Sequence, residues 1–357
     1  MRIGFDAATF THRGTHVAMF DYAIYNQSLL GNQSIIFYQG NSIQHAKGVL
    51  EKFQQHLQLI PYTDLNDLDR LAEKNKIDRF YFLKSGEKDH YLLPSLPNLI
   101  HAVFPKPMSE AHGSIYAYVS AWLAEECSNH RFPFVPHIIT MPDVQGDLRS
   151  ELNIPQEAKV FAYYGGSDSF NILFVKNLIQ KMVQQQNTIY FIFMNTPAFI
   201  QHHQVIFLEG NSDLSYKTKF IQTADAMIHA RGIGESFGLA CGEFSLKNKP
   251  VITYALSPQR NHLKALGDKA LLYRGPKELS RIFLEFDPIW SRQQNWDCYS
   301  SLFSPAEVMK KFDAVFLQSD LSRPLPKPSL LDEFVVQAYR FPKKIRNLSR
   351  KYYIKNY

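Results

Sequence analysis

The sequence predicts an α/β fold in which two Rossmann-like domains in tandem face a cleft. Short apolar runs alternate with helix-length periodic segments along most of the chain, and this alternation is typical of parallel sheets covered by helices. A polar stretch after Met141, broken by Pro and Gly, interrupts the alternation once, as linkers between domains do. The length of 357 residues also suits two domains of about 150 residues each.

The first half has seven short apolar or aromatic runs that read as strands. They are Ile3–Asp6, Ser34–Tyr38, Leu57–Pro61, Arg79–Leu83, Leu99–Phe104, Ile115–Val119 and Phe134–Ile138. Helical spacing puts Val17, Phe20 and Ile24 on one face of a helix over Thr15–Leu30. A similar stripe predicts a second helix over Asp64–Lys76.

The second half repeats the alternation. Its predicted strands are Val160–Tyr164, Thr188–Met194, Val205–Leu208, Ala226–Ala230 and Val251–Tyr254. Its predicted helices are Phe170–Gln184, Ser212–Gln222, Glu235–Leu246, Lys277–Phe286 and Pro305–Leu317. We therefore expect domains at 1–140 and 141–320, followed by a segment at 321–357.

The last segment begins with the Pro-rich stretch LSRPLPKPSL, which predicts a stiff connector. Ser329 and Asp332 form a capping box, so we expect a C-terminal helix that crosses back to the first domain and ends at Pro342. Residues 340–357 are a basic tail.

The basic charge lies at the end of the chain. The net charge is +6, but residues 334–357 hold seven basic residues and no acidic one, so residues 1–333 carry about −1. A body so nearly neutral argues against nucleic-acid binding, which needs a clustered basic surface. The tail could lie on an anionic membrane, or it could be a solvated extension.

Three widely spaced cysteines give no disulfide framework or zinc-ligand spacing, which favours a reducing compartment. The N-terminus has no signal-peptide pattern, and no apolar run reaches the length of a membrane span. We expect a cytoplasmic protein, peripheral to a membrane at most.

The segment ARGIGESFGLACGEFSLKNKPVITY, residues 230–254, carries the most chemical information. Its loop glycines allow a ligand to approach the backbone, and a helix start offers free N–H groups to a phosphate. If Glu235 and Glu243 lie on one helix, eight residues separate them by roughly 12 Å and turn them by about 80°. One carboxylate could then meet the sugar of a nucleotide-sugar, and the other could meet its ribose.

This segment resembles the Glu–seven–Glu motif of retaining glycosyltransferases with the GT-B fold, of the group 1 or family 4 type. The resemblance implies that Glu235 contacts the donor sugar near the reacting carbon and that Glu243 binds the ribose. It also implies that the amides of the helix start bind the donor phosphates. These amides belong to Ser236, Phe237, Gly238 and Leu239.

Gly14, in THRGTHVA, resembles the glycine loop of the family's first domain. His101, in LIHAVF, resembles a histidine that contacts the donor sugar, and we group it with Glu235 as catalytic. Gly165 and Gly166 follow a predicted strand and join the donor-binding residues. His112 is a candidate for the acceptor site.

The sequence departs from the family at YYGGSDSFN. Gly166 and Asn171 stand where many members have an Arg and a Lys that neutralise the diphosphate. Arg231 could substitute, because a guanidinium binds phosphate oxygens as a fork. His229 and Lys176 are weaker candidates.

Each of these residues also has a structural interpretation. The two glutamates could complement a helix dipole, Gly14 and His112 could serve turns, His101 could be a core histidine, and Arg231 could pair at the surface. Asp67 and Asp69 resemble a metal-binding pair but fit a solvated helix face, and His202 with His203 lacks further metal ligands.

The predicted function is that of a retaining, metal-independent hexosyltransferase without a cofactor. It would move a hexose from a nucleotide diphosphate sugar to a glycan or lipid-linked acceptor. The alternatives are a nucleotide-sugar epimerase, a degenerate GT-B protein that binds nucleotide or sugar without catalysis, and a basic nucleic-acid binder.

Overall fold

The structure, a computed structural model, describes residues 1–328. The predicted capping box at Ser329, the helix after it and the basic tail lie outside the described residues. Within residues 1–328, the helices are all too short or too polar to cross a membrane.

The first half folds into a six-stranded parallel sheet with the strand order β3-β2-β1-β4-β5-β6. Its strands are β1 (Arg2–Ala8), β2 (Gln33–Gln39), β3 (Gln58–Tyr62), β4 (Arg79–Lys84), β5 (Asn98–Ala102) and β6 (Ile115–Tyr118). Its helices are α1 (Gly14–Ser28), α2 (Lys47–His56), α3 (Leu65–Lys74) and α4 (Ala121–Ser128).

The second half forms another six-stranded parallel sheet, ordered β9-β8-β7-β10-β12-β14. Its strands are β7 (Lys159–Tyr164), β8 (Ile189–Met194), β9 (Val205–Leu208), β10 (Ala226–His229), β12 (Val251–Tyr254) and β14 (Leu271–Tyr273). The short strands β11 (Gly234–Glu235) and β13 (Gln259–Arg260) pair beside it. Its helices are α5 (Leu173–Gln185), α6 (Leu214–Thr223), α7 (Leu239–Leu246), α8 (Asn261–Leu266), α9 (Pro276–Glu285), α10 (Pro288–Arg292) and α11 (Pro305–Phe312).

Both sheets therefore have the strand order of a dinucleotide-binding fold, counted from the first strand of each half. The prediction of two Rossmann-like domains is confirmed. In such sheets ligands bind outside the carboxyl ends of the strands, where the strand order reverses. In the first sheet this switch point lies between β1 and β4, and in the second it lies between β7 and β10.

The predicted strand Phe134–Ile138 is wrong. Phe134 makes a single bridge to Tyr118, because Pro133 and Pro136 cannot donate to a strand ladder. The segment continues as an extended linker instead.

A segment before the predicted crossing helix already packs against the first domain. Helix α11 and the π-helical turn Asp313–Leu317 pack on the first sheet, and this packing differs from the assignment of these residues to the second domain. The Phe312 ring lies 5.3 Å from Tyr22 and 5.5 Å from Tyr81. Arg79 Nη1 donates to the Phe316 carbonyl at 2.8 Å.

Because Phe312 is fully buried, the Phe312→Ala variant should lose about 3–5 kcal/mol of unfolding free energy. Urea denaturation followed by circular dichroism measures this loss. Phe104→Ala is the matched control, since Phe104 is 43% exposed and its loss should cost less than about 1 kcal/mol. Equal stability of the two variants would contradict the packing of α11 on the first sheet.

Candidate functional site

The loop after β10 forms the centre of the candidate site. It follows the strand that borders the switch point of the second sheet, and it contains Arg231 and Gly232. The loop after β7, with Gly165 and Gly166, lies on the other side of the same switch point. The residues predicted from two separate motifs therefore share one edge of the sheet.

Glu235 is bound by two neighbours, one at each carboxylate oxygen. His229 Nε2 lies 3.2 Å from Oε1, and Arg231 Nη1 lies 2.6 Å from Oε2. Burial alone would raise the pKa of Glu235, but the hydrogen bond from His229 and the charge of Arg231 outweigh it and lower the pKa to about 2. The carboxylate is thus ionised, and its side chain is 18% exposed.

Glu235 does not lie on a helix, and here the sequence prediction is wrong. It belongs to β11, and α7 begins at Leu239. The residue before the helix, Gly238, has φ 98°, a left-handed conformation that favours glycine. This turn separates Glu235 from the helix, so the helical spacing of about 12 Å between the two glutamates does not apply.

Glu243 lies within α7 and is 3% exposed. Lys217 Nζ binds its Oε1 at 2.6 Å, and the Tyr164 hydroxyl donates to its Oε2. The Lys217 ammonium also lies 4.8 Å from the centre of the Tyr164 ring. The second glutamate is therefore compensated by a lysine from α6, independently of Arg231.

Gly14 is the first residue of α1 and faces α7 across the cleft. A Cβ at this position would lie 2.8 Å from Leu239 Cδ1, closer than side chains normally approach. The glycine thus lets the first domain come up to the start of α7, next to the Glu235 loop.

No protein-family model matches the chain, and no curated protein matches it. Solved structures do match. A glycosyltransferase from Rickettsia africae ESF-5 has a TM-score of 0.61 at 11% identity, over 89% of this chain and 99% of that one. HepE from Anabaena, in complex with UDP and glucose, has a TM-score of 0.60 at 12% identity, over 95% and 99%. A candidate UDP-N-acetylglucosamine 2-epimerase from Listeria monocytogenes scores 0.56 at 11% identity, over 92% and 99%.

The fold is GT-B. Two parallel sheets of the same strand order, matched over nearly the full length of other two-domain chains, decide it. At these identities the likeness concerns the fold alone.

Asn171 and Asn195 bind backbone groups of the loops beside the switch point. Asn171 accepts from the Gly232 amide at 2.8 Å and donates to the Asp168 carbonyl at 3.1 Å. Asn195 Nδ2 donates to the Gly165 carbonyl at 2.8 Å. Asn171 thus links the loop of Arg231 to the loop of Gly166.

His101 lies in the core of the first domain and has no exposed surface. The Tyr81 hydroxyl lies 2.6 Å from Nδ1, and Nε2 donates to the Val135 carbonyl at 2.8 Å. Burial lowers its pKa to about 3. Since both ring nitrogens are occupied within the domain, the interpretation as a core histidine fits better than the predicted contact with a donor sugar.

His112 precedes β6 and so lies at the amino end of that strand, opposite to the edge where such sheets bind ligands. Its Nδ1 donates to the Glu110 carbonyl at 2.8 Å, as in a local turn. The turn interpretation therefore fits better than the acceptor site.

Asp67 and Asp69 lie on α3, as the interpretation of a helix face predicted. Asp67 pairs with Arg70 at 2.6 Å, and Asp69 accepts from the Ser95 hydroxyl at 2.7 Å. Within residues 1–328 no group of three or more His, Cys, Asp or Glu residues could hold a metal ion.

Asp21 and Lys52 of the first domain face Lys217 and Glu243 of the second, a charged cluster that the sequence did not reveal because it joins distant segments. Burial raises the pKa of Asp21 to about 7, and the charge of Glu243 adds to this while Lys52 opposes it. Burial likewise lowers the pKa of Lys52. The cluster lies between α1, α2, α6 and α7, where the two domains meet.

Because the pKa of Asp21 rises from 3.8 to about 7 on folding, the folded protein binds more protons than the unfolded chain within this interval. The contribution of Asp21 to stability is therefore present below about pH 3.8 and is lost as pH rises to about 7. In urea denaturation between pH 4 and pH 8, the Asp21→Asn variant should lose less stability than the wild type and be the more stable protein at pH 8. The control Asp268→Asn, at an exposed site, should show the same pH dependence of stability as the wild type. If the stability of Asp21→Asn and of the wild type changed with pH in parallel, the raised pKa of Asp21 would be refuted.

Proposed function

We propose that the protein is a retaining, metal-independent GT-B glycosyltransferase that moves a hexose from a nucleotide diphosphate sugar to a glycan or lipid-linked acceptor. The observation that carries the proposal is the group of Glu235, His229 and Arg231 at the switch point of the second sheet. It combines an ionised carboxylate with a cation next to it, as the transfer of a sugar from a diphosphate requires.

In this proposal the donor binds to the second domain and the acceptor to the first. The diphosphate lies against Arg231, the amides of Ser236–Leu239 and the loop of Gly165 and Gly166. Each oxygen of Glu243 has a further lone pair beside its contact with Lys217 or Tyr164, and we assign these lone pairs to the ribose hydroxyls. The binding of UDP and glucose by HepE, a protein of the same fold, supports a UDP-sugar as the first donor to test.

The reaction proceeds by front-face displacement. The bond between the anomeric carbon and the diphosphate oxygen breaks, and the acceptor hydroxyl forms the new bond on the same face. Its proton passes to the leaving diphosphate. Arg231 stabilises the negative charge that develops on the leaving group, and the ionised Glu235 stabilises the positive charge that develops on the sugar.

Glu235 is the residue whose charge the reaction needs. The Glu235→Gln variant keeps the size of the side chain and removes its charge, so we expect transfer, or hydrolysis of the donor without acceptor, to fall at least about 100-fold. Chromatography of a panel of UDP-sugars incubated with each protein measures this. The control Glu285→Gln changes a glutamate that is 71% exposed. Equal turnover by Glu235→Gln and wild type would refute the proposal.

The same incubation distinguishes the proposed transferase from an epimerase, the alternative that the Listeria structure suggests. An epimerase converts a UDP-sugar to its epimer with no acceptor present, whereas a transferase releases UDP. A protein that binds the nucleotide but forms neither product would be a degenerate GT-B protein, as the missing Arg and Lys allow. A cytoplasmic location, with residues 340–357 near a membrane, completes the proposal.

Arg231 is the expected substitute for the missing diphosphate cations. Arg231→Ala should raise the Kd for UDP roughly 10- to 100-fold, because it removes charge-assisted hydrogen bonds to phosphate. Isothermal titration of UDP measures the change. Arg281→Ala removes an arginine that is 69% exposed on α9 and should leave the Kd unchanged. Unaltered UDP binding by Arg231→Ala would exclude this role.

A further inference from the structure

Four side chains from separate elements form one continuous row that ends at Glu235. The Thr253 hydroxyl oxygen lies 3.0 Å from His262 Nε2 and 2.9 Å from His229 Nδ1. His229 Nε2 then lies 3.2 Å from Glu235 Oε1. His262 and Thr253 have no exposed surface, and His229 is 1% exposed.

The direction of these hydrogen bonds follows from the two ends of the row. Burial lowers the pKa of His262 to about 3, so this ring is neutral and carries one proton. Its Nδ1 has no hydrogen-bond partner, and a buried N–H without an acceptor is rare, so the proton belongs on Nε2. His262 then donates to Thr253.

The other end agrees with this direction. The Glu235 carboxylate is ionised and can only accept, so His229 donates to it from Nε2. His229 Nδ1 is then free to accept the Thr253 proton. With a neutral His229 ring, every group from His262 to Glu235 donates in the same sense.

We propose that Thr253 and His262, acting through His229, are positioning residues that orient the Glu235 carboxylate toward the reacting sugar. This inference rests on the proposed function. Arg231, the other partner of Glu235, has a side chain that is 26% exposed and would be drawn to a diphosphate. The buried row would keep Oε1 in place while Arg231 changes partners.

The test removes one hydroxyl from the row. Thr253→Val keeps the shape of the side chain, so kcat should fall roughly 5- to 10-fold, the effect of one hydrogen bond, with the donor KM changed by less than about 2-fold. Thr253→Ser restores the hydroxyl and should restore kcat. A rise in the donor KM without a fall in kcat would overturn the proposal, and so would a kcat equal to that of the wild type.

Thr218→Val is the matched control, since Thr218 is also fully buried and its hydroxyl donates only to the Leu214 carbonyl, at 2.8 Å within α6. It should keep the wild-type kcat. An equal loss in Thr218→Val and Thr253→Val would mean that any buried threonine has the same effect, and this would also overturn the proposal.

Nitrogen-15 spectra of the histidine rings test the row without any turnover, and the His229→Gln variant assigns the His229 signals. We expect His229 to carry its proton on Nε2, and Thr253→Val should shift its Nδ1 resonance. A wild-type His229 protonated on Nδ1 would overturn the proposed row. Failure of the wild type to turn over any donor would instead refute the proposed function, so the two failures are distinguishable.

Discussion

The negative charge of Glu235 is the constraint around which the candidate site is arranged. An ionised carboxylate that is largely removed from water is costly unless it is paired and hydrogen-bonded. Here two partners come from the loop and strand immediately before it, one at each oxygen. The end of β10 must therefore lie beside β11, and the chain between them must form a tight loop. Gly234, in this segment, has φ 75°, and a side chain there would clash with the Gln259 carbonyl, so the position requires glycine.

The order of the strands explains why this loop lies in a cleft. β10 and β7 are neighbours at the centre of the second sheet, and the helices that follow them leave on opposite sides. The loops after the two strands consequently diverge and leave a crevice at the carboxyl edge. The first sheet repeats the arrangement, and Gly14 brings its first helix against the start of α7. Two crevices thus face each other, and the return of α11 to the first sheet ties the two halves together.

The sequence predicted those features that depend on neighbours along the chain. The strands were recognisable because buried parallel strands are nearly continuous apolar runs. Helix α2 was missed because its buried face consists of two residues, Val49 and Phe53. Helix α4 was missed for the opposite reason, since it is buried on several sides and shows no polar stripe. The start of α7 was misplaced because the left-handed conformation of Gly238 cannot be read from a Gly within a helical pattern.

The same distinction holds within the site. Glu235 and Arg231 are four residues apart, so their association could be expected from the sequence. Thr253 and His262 reach Glu235 only through the pairing of β10 with β12 and of β11 with β13, and no local pattern indicates this. Burial raises the pKa of Asp21, and the charge of Glu243, which belongs to the other domain, adds to this rise.

Gly166 and Asn171 stand where the resemblance to retaining GT-B glycosyltransferases would place an Arg and a Lys. Neither Gly166 nor Asn171 carries a charge. In the proposed reaction the Arg231 guanidinium therefore has two anionic partners, the Glu235 carboxylate at 2.6 Å and the donor diphosphate. A diphosphate carries more charge than a carboxylate and accepts a guanidinium fork equally well. Binding of the donor would therefore weaken the pairing at Oε2 while His229 keeps Oε1. One oxygen of Glu235 would then face the sugar only when a diphosphate is bound, which couples the catalytic charge to the presence of the donor.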